Sequence, residues 1–198
     1  HGDGSVTQRD SISVAAGDLT DEVVAALASA EMQTFKAPEG IALRHGLLYG
    51  GDGAQMRTML QKRGIPVSVG GLLAWVHHLD AAAATVSALE VGRAGQAYNV
   101  VDDQPATWQE LFTAMAAAFG APPPRRLPRW LMRLVAPYAA RVAVDASMRV
   151  SNAKAKNELA WQPRFTTYRE GISAMVSDVC REDPILSRLP ADRLRAGM

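Results

Sequence analysis

The chain has 198 residues, 48% of them hydrophobic and 21% charged, which is the composition of an ordinary globular domain rather than of a disordered or fibrous protein. Because 21 lysines and arginines balance 20 acidic residues, the overall charge gives no reason to expect nucleic acid as a partner. A single cysteine, Cys180, excludes an internal disulfide and zinc sites built on cysteine pairs, and it fits a cytoplasmic protein. We find neither a signal peptide nor an apolar run near the roughly 18 residues that span a bilayer, so we expect no membrane partner.

Sequence composition divides the chain into three parts. Residues 1–18 are rich in Gly, Ser and Asp and lack a sustained period, so we predict a loop or the remnant of a connection. Residues 19–182 carry the periodic apolar pattern of an α/β domain. Residues 183–198 are predicted to form a polar tail.

The domain opens with a predicted helix that is followed directly by a strand. Thr20 is a suitable N-cap, apolar residues recur at roughly helical spacing as far as Phe35, and Pro38 to Gly40 end the helix. Residues 41–48 then form an apolar run bounded by glycine, which predicts a strand buried on both faces of a parallel sheet. This order of helix and strand is half of a βαβ unit.

The same signals place the remaining elements. Glycines bound a short helix and a short strand, and capping boxes beginning at Thr107 and Thr167 open two longer helices. The predicted spans, in chain order, are helix 54–62, strand 65–69, a segment 75–78 leading into an alanine-rich helix 79–91, strand 96–101, helix 107–119, a short amphipathic helix with Trp130, Leu131, Leu134 and Val135 as its apolar face, helix 151–159 and helix 167–180.

Two polar residues, Arg44 and His45, interrupt the apolar strand at residues 41–48. Polar side chains in so apolar a strand need partners, and in an open α/β sheet they usually stand at the carboxyl ends of the strands, where ligands bind. Residues 44–50 are therefore the predicted place for chemistry. We expect Arg44 itself to be structural, because a buried guanidinium needs several acceptors and the backbone can supply them.

Several short motifs then follow one another along the chain. They are LRHGLLYG at residues 43–50, WVH at 75–77 with DAA at 80–82, YNV at 98–100, and SNAKAK at 151–156 with LAWQP at 159–163. This series resembles the C-terminal half of the extended short-chain dehydrogenase/reductases, the NAD-dependent epimerase/dehydratase family. The resemblance covers roughly residues 20–175 and implies a Rossmann-like parallel sheet, incomplete because the N-terminal dinucleotide-binding half is missing, with a small α-rich C-terminal substrate lobe.

The resemblance also implies ligands and the residues that contact them. NAD or NADP would be the cofactor, and the substrate would be a small molecule with a hydroxyl or carbonyl group, sugar-like or smaller. His45 and Gly46 would contact the nicotinamide end of the cofactor. Leu47 stands where nucleotide-sugar epimerases tend to have asparagine, which favours a smaller or less polar substrate. The residues that would contact the substrate are Tyr49, Arg57, Trp75 and Arg149.

Two motifs of that family do not occur in this sequence. Neither G-x-x-G-x-x-G nor G-x-G-x-x-G is found, and none of the four tyrosines is followed four residues later by lysine, so we assign no catalytic residue. We predict an NAD(P)-dependent epimerase/dehydratase-type oxidoreductase of which this chain is the substrate-side portion. Two alternatives stay open: a non-catalytic atypical member that binds or regulates, and a structural fragment that pairs with a missing N-terminal half or with itself.

Three further features are predicted to be structural. His77 and His78 would point to opposite faces of a strand and so could not share a metal ion, and no third ligand has useful spacing. Arg129 and Arg133 lie four residues apart, as on a solvated helix face. Cys180 has no base nearby in the sequence and is not expected to be a catalytic thiol. We therefore predict no metal site.

Overall fold

The computed structural model describes residues 5–6 and 21–182, so the predicted loop at 1–18 and the tail at 183–198 lie almost entirely outside the described residues. The helices are α1 (Asp21–Thr34), α2 (Gly53–Gln61), α3 (His78–Val91), α4 (Trp108–Ala118), α5 (Arg129–Val135), α6 (Pro137–Ala140), α7 (Ala153–Glu158) and α8 (Tyr168–Glu182), with a π-helical turn at Arg141–Asp145. The strands are β1 (Ser5–Val6), β2 (Ala42–His45), β3 (Leu47–Tyr49), β4 (Leu72–Leu73), β5 (Trp75–His77), β6 (Ala97–Val100), β7 (Ala106–Thr107) and β8 (Arg149–Val150).

These strands form four two-stranded sheets within the described part of the chain. Three pairs are parallel: β2 with β6, β3 with β5, and β1 with β8. The pair of β4 and β7 is antiparallel. Helices lie in the connections between the parallel partners, as parallel pairing requires, and the predicted α/β class with parallel strands is confirmed.

The single strand predicted at residues 41–48 is wrong, because the chain forms two strands that belong to different sheets. The change occurs at Gly46, whose N–H donates to the carbonyl of Val100 at 3.0 Å, while the N–H of Leu47 donates to the carbonyl of Ala74 at 2.8 Å. A Cβ on Gly46 would lie 2.8 Å from the oxygen of Ala74. Glycine therefore lets the backbone pass closely from one sheet to the next.

The strand predicted at residues 65–69 is reduced to a single bridge between Val67 and Arg126. Val67 both donates to and accepts from the backbone of residues 125–127. Its neighbour Pro66 has no N–H to extend the pairing. One bridge is the result, and the prediction of a strand here was wrong.

The alanine-rich helix α3 packs closely on the sheet, as its composition predicts. Ala81, Ala84 and Ala88 are buried in one cluster with Tyr98 and Val100 of β6. Because alanine carries only a methyl group, the axis of α3 can lie close to the strands. The apolar face of α3 therefore covers the β2–β6 pair.

A second and larger core lies between α4, α8 and the β3–β5 pair. Both helices begin with the predicted capping boxes, in which Thr107 pairs with Glu110 and Thr167 with Glu170. The fully buried Leu111 of α4 belongs to this core. Within residues 21–182 no helix has both the length and the apolar character needed to cross a bilayer.

Helix α5 packs differently from the prediction. Met132 is its one fully buried side chain. Of the predicted packing face, Trp130, Leu134 and Val135 are exposed and Leu131 is half-buried. A seven-residue helix makes about two turns, so one side chain suffices to anchor it and apolar residues on the other sides stay outside. Three of the four predicted apolar residues are thus directed to the surface.

Candidate functional site

Polar side chains gather where the parallel strands end. His45 ends β2 beside Val100 of β6, and Tyr49 ends β3 beside His77 of β5. Because the strands of each pair are parallel, their carboxyl ends lie at the same edge. Asp102 follows β6 by two residues and reaches the hydroxyl of Tyr49, which joins the edges of the two sheets. This edge is the candidate functional site, as the position of residues 44–50 predicts.

A buried hydrogen bond joins Tyr49 to Asp102. The hydroxyl of Tyr49 donates to Oδ2 of Asp102 at 3.0 Å, and the two residues are only 6% and 5% exposed. Oδ1 of Asp102 has no hydrogen-bond partner among the described residues. Burial penalises the carboxylate and raises the pKa of Asp102 to about 7, and burial together with the nearby carboxylate raises the pKa of Tyr49. Tyr49 is therefore a neutral hydrogen-bond donor rather than a base at neutral pH.

His77 occupies the centre of this edge. Its ring lies edge-on to Tyr49, with centroids 5.2 Å apart, and 4.4 Å from the ring of Phe165. Its Nδ1 accepts the N–H of Leu79 at 3.3 Å and so caps α3. Desolvation lowers the pKa of His77 to about 4, so the ring is neutral at pH 7. The structural role predicted for His77 is confirmed.

The prediction that His77 and His78 point to opposite faces of one strand was wrong. His77 ends β5 and His78 begins α3, so the alternation of side chains along a strand does not apply to this pair. Their rings lie 4.7 Å apart at 33°. In the described part of the chain, no three His, Cys, Asp or Glu side chains are grouped so that they could hold a metal ion.

Asp80 ties α3 to the segment that precedes α8. Its carboxylate is 2% exposed and accepts the backbone N–H of Arg164 at 2.8 Å and of Phe165 at 3.0 Å. Trp161 donates its indole N–H to the backbone carbonyl of the same aspartate. We did not predict the roles of Asp80 and Asp102 from the sequence, although an aspartate in the first turn of a helix and one just after a strand were both visible signals.

His45 and Gly46 lie at the exposed end of β2. The ring of His45 is exposed, and the part of it that faces the protein is desolvated enough to lower its pKa below the ordinary value. Its uncharged form presents one donor and one acceptor nitrogen at this edge. Gly46 offers no side chain, and its backbone forms the crossing between the sheets.

Arg44, next to His45, is structural as predicted, but a carboxylate supplies its acceptors. Its guanidinium makes a two-pronged ion pair with Glu31 of α1, through Nε at 2.9 Å and Nη2 at 2.6 Å. Two parallel hydrogen bonds of this kind fix both distance and orientation. Arg44 therefore anchors α1 to β2, and His45 is the polar residue of this pair that faces outward.

Comparisons with known proteins show what this geometry resembles. No family model matches the chain. A 3-diazoavenalumate denitrifying reductase from a Streptomyces species is 30% identical over 140 residues, which are 67% of this chain and 46% of the reductase. A solved structure of a functionally unknown conserved protein from Silicibacter pomeroyi is 25% identical with a TM-score of 0.66, over 75% of this chain and 53% of that one.

Two further solved structures carry a nicotinamide cofactor. The dTDP-glucose 4,6-dehydratase DesIV from Streptomyces venezuelae, solved as a double mutant with NAD, is 19% identical with a TM-score of 0.67, over 92% of this chain and 56% of that one. The human epimerase family protein SDR39U1, solved with NADPH, is 19% identical with a TM-score of 0.59, over 70% of this chain and 48% of that one. This chain has the extended short-chain dehydrogenase/reductase fold.

The resemblance seen in the motifs is thereby confirmed. The chain spans about half the length of the relatives and solved structures that it matches. Its described residues accordingly supply one part of such a fold. The roles predicted for individual residues are not decided by these likenesses and stay predictions.

Of the four substrate contacts that the motif resemblance implies, two are buried and two are not. Tyr49 and Trp75 are 6% and 3% exposed, and the indole N–H of Trp75 donates to the carbonyl of Ala106 at 2.8 Å. Arg57 is half-buried on α2, and Arg149 is exposed on β8. Neither arginine makes an ion pair with another described residue. Burial favours Tyr49 and Trp75 as supports beneath the surface, whereas the side chains of Arg57 and Arg149 remain accessible to solvent.

Helix α8 presses on Tyr49 at Gly171. A Cβ there would lie 2.6 Å from Cε2 of the Tyr49 ring. We expect Gly171→Ala to destabilise the protein by about 1–2 kcal/mol, because the clash outweighs the gain in helix propensity. Denaturant unfolding measures this, with Gly51→Ala as control, since a Cβ on Gly51 meets nothing within 4 Å. Equal stability of the wild-type protein and Gly171→Ala would contradict the tight contact.

Proposed function

We propose that this chain is the substrate-side portion of an NAD(P)-dependent oxidoreductase of the extended short-chain type. Its substrate would be a small molecule with a hydroxyl or carbonyl group. The observation that carries the proposal is the 30% identity to a reductase over 140 residues, in a chain with the extended short-chain dehydrogenase/reductase fold. The exposed His45 at the carboxyl end of β2 gives that fold a polar contact where ligands of open α/β sheets bind.

The residues present fit one end of a dinucleotide. His45 is uncharged at neutral pH, because desolvation lowers its pKa, and an exposed imidazole can hydrogen-bond a carboxamide without repelling a positively charged ring. Gly46 keeps the surface beside it free of a side chain. No glycine-rich phosphate loop occurs in the sequence, so these residues would hold the nicotinamide end alone.

The bound nicotinamide would supply or accept the hydride. His45 would orient the ring, and Arg57 and Arg149 would hold polar or anionic groups of the substrate. Tyr49 and Trp75 would shape the floor of the site, held by their bonds to Asp102 and Ala106. None of the described groups is assigned as the acid or base, since the raised pKa of the buried Tyr49 unsuits it for proton transfer at neutral pH.

Cofactor titration tests this proposal. We expect NADH or NADPH to raise the thermal midpoint of the 198-residue chain and to change nicotinamide fluorescence, because a ligand of the folded state stabilises it by mass action. His45→Ala should weaken binding about tenfold, a loss of about 1.4 kcal/mol. His78→Ala, another exposed histidine, should bind as the wild type does. Equal affinity of all three chains would overturn the role of His45, and no binding at all would remove the cofactor site from this chain.

A second candidate is a non-catalytic member of the same fold that binds a nucleotide or regulates a partner. It is favoured by the lack, in this sequence, of a tyrosine followed four residues later by lysine. Cofactor binding without turnover in the whole protein would support it. An intact Tyr-x-x-x-Lys motif encoded upstream in the same gene would count against it.

A further inference from the structure

Helix α5 displays apolar side chains that the described part of the chain does not cover. Trp130, Leu134 and Val135 are 66%, 72% and 57% exposed, whereas Met132, their neighbour on the helix, is 1% exposed. Trp130 and Leu134 lie four residues apart and so form one ridge along the helix. Of the four tryptophans in the chain, Trp130 is the exposed one; Trp75 and Trp161 are buried and Trp108 is half-buried.

Basic residues accompany this apolar ridge. Arg129 and Arg133 are also four residues apart, and their side chains are 56% and 53% exposed. Both lie near Asp145, with nitrogen to oxygen distances of 3.7 and 2.5 Å, so a single carboxylate serves two guanidinium groups. Residues 121–148 contain five arginines and this one aspartate, a net charge of +4, while the whole chain carries +1. The rest of the chain therefore carries −3, an asymmetry that the overall balance conceals.

We propose that a surface formed by Arg129, Trp130, Arg133, Leu134 and Val135, called here the α5 surface, docks on an anionic phospholipid bilayer. A helix that lies on a membrane buries apolar side chains at the level of the headgroups, and its arginines pair with lipid phosphates. Tryptophan is suited to this interface because its ring is apolar and its N–H is polar. The contact would be peripheral and so needs no spanning helix, and it departs from the expectation, drawn from the sequence, of no membrane partner.

A second copy of the chain suits the α5 surface poorly. In a two-fold contact the same patch faces itself, so two patches with two arginines and one aspartate each would meet, with a net positive charge on both sides. The like charges would oppose association. An anionic bilayer instead complements both the apolar ridge and the positive charge.

Helix α3 provides a matched contrast. Val86 and Leu89 are 54% and 83% exposed, so their apolar ridge is at least as accessible as that of α5. The nearest charged residue on that helix is Glu90, an anion. If exposed apolar groups alone drove membrane binding, both α3 and α5 would contribute to it. If the arginines are also required, only α5 would contribute.

Vesicle binding by the 198-residue chain tests the proposal. We expect co-sedimentation with phosphatidylcholine vesicles containing about 30% phosphatidylserine, little with pure phosphatidylcholine, and loss of binding at roughly 0.5 M salt. Tryptophan fluorescence should shift to shorter wavelength on binding. Leu134→Ser and the charge change Arg133→Gln should each lower the partition coefficient, Arg133→Gln by roughly fivefold. Leu89→Ser on α3 should leave it unchanged.

Each contrary outcome overturns the proposal. No binding to anionic vesicles, or equal losses in Leu134→Ser and Leu89→Ser, would show that α5 is not a membrane surface. A wild-type chain that is dimeric by light scattering, and monomeric in Leu134→Ser, would assign the α5 surface to self-association instead. Thermal unfolding of each variant checks that the substituted chains remain folded, as exposed positions allow.

Discussion

Replacing Asp80 with alanine is expected to destabilise the protein by about 3–4 kcal/mol, because the change leaves two backbone donors without acceptors. The carboxylate of Asp80 is 2% exposed and accepts the N–H groups of Arg164 and Phe165, more than eighty residues away in the chain. Each unsatisfied donor in the interior costs about 1–3 kcal/mol. The measurement is the free energy of unfolding by denaturant.

Two control variants distinguish the loss of these two hydrogen bonds from the general cost of losing an aspartate. The carboxylate of Asp52 accepts the backbone N–H of Gln55 at 2.9 Å, but it lies at the exposed start of α2. Asp52→Ala should therefore cost only about 1 kcal/mol of stability. Asp80→Asn keeps one acceptor oxygen and should cost less than Asp80→Ala. If Asp80→Ala were no worse than Asp52→Ala, the tie between α3 and the segment before α8 would not stabilise the fold.

Replacing Asp102 with asparagine should stabilise the protein near pH 8 by about 2–3 kcal/mol. Burial raises the pKa of Asp102 from 3.8 to about 7, so the folded protein holds a proton that the unfolded chain releases above pH 3.8. The carboxylate thus costs stability above pH 7, and this cost falls away as the pH falls from 7 toward 3.8. A three-unit pKa difference sets a ceiling of roughly 4 kcal/mol, from which the weaker hydrogen bond to Tyr49 is subtracted.

His77 gives the variant a characteristic pH profile. Its pKa is lowered from 6.5 to about 4, so it stabilises the fold fully above pH 6.5, and this contribution is lost as the pH falls toward 4. In the wild type the gain from protonating Asp102 offsets this loss. Asp102→Asn should therefore lose stability steadily between pH 6.5 and 4, where the wild-type curve is flatter. Parallel curves of stability against pH for the wild type and Asp102→Asn would contradict the raised pKa of Asp102.

Structural features that depend on residues close together in the chain could be predicted from this sequence, whereas features that depend on distant residues could not. Helices α4 and α8 begin where Thr107 and Thr167 predict, because a capping box involves residues three apart. The division of residues 41–48 into two strands could not be predicted in this way, since it depends on pairing with β5 and β6, 28 and 55 positions further along.

The candidate site shows the same limit. The edge at residues 44–50 could be predicted from polar residues in an apolar strand. The bond between Tyr49 and Asp102 could not, because the two residues are 53 positions apart and the resemblance implied that Tyr49 contacts the substrate. For α5, apolar residues occupy more than one side of a short helix, so spacing alone did not identify Met132 as the buried one.

The crossing at Gly46 constrains how this segment can change in length. Leu43 is held opposite Tyr98 in one sheet and Leu48 opposite Val76 in the other, so β2 and β3, the strands on either side of Gly46, both have a fixed register. An inserted or deleted residue here would turn one set of side chains to the wrong face. The turn at residues 93–95 is exposed, and a Cβ on Gly95 would meet no atom within 4 Å, so this turn can absorb such changes. Loop grafting and length variation should therefore succeed at that turn and fail at Gly46.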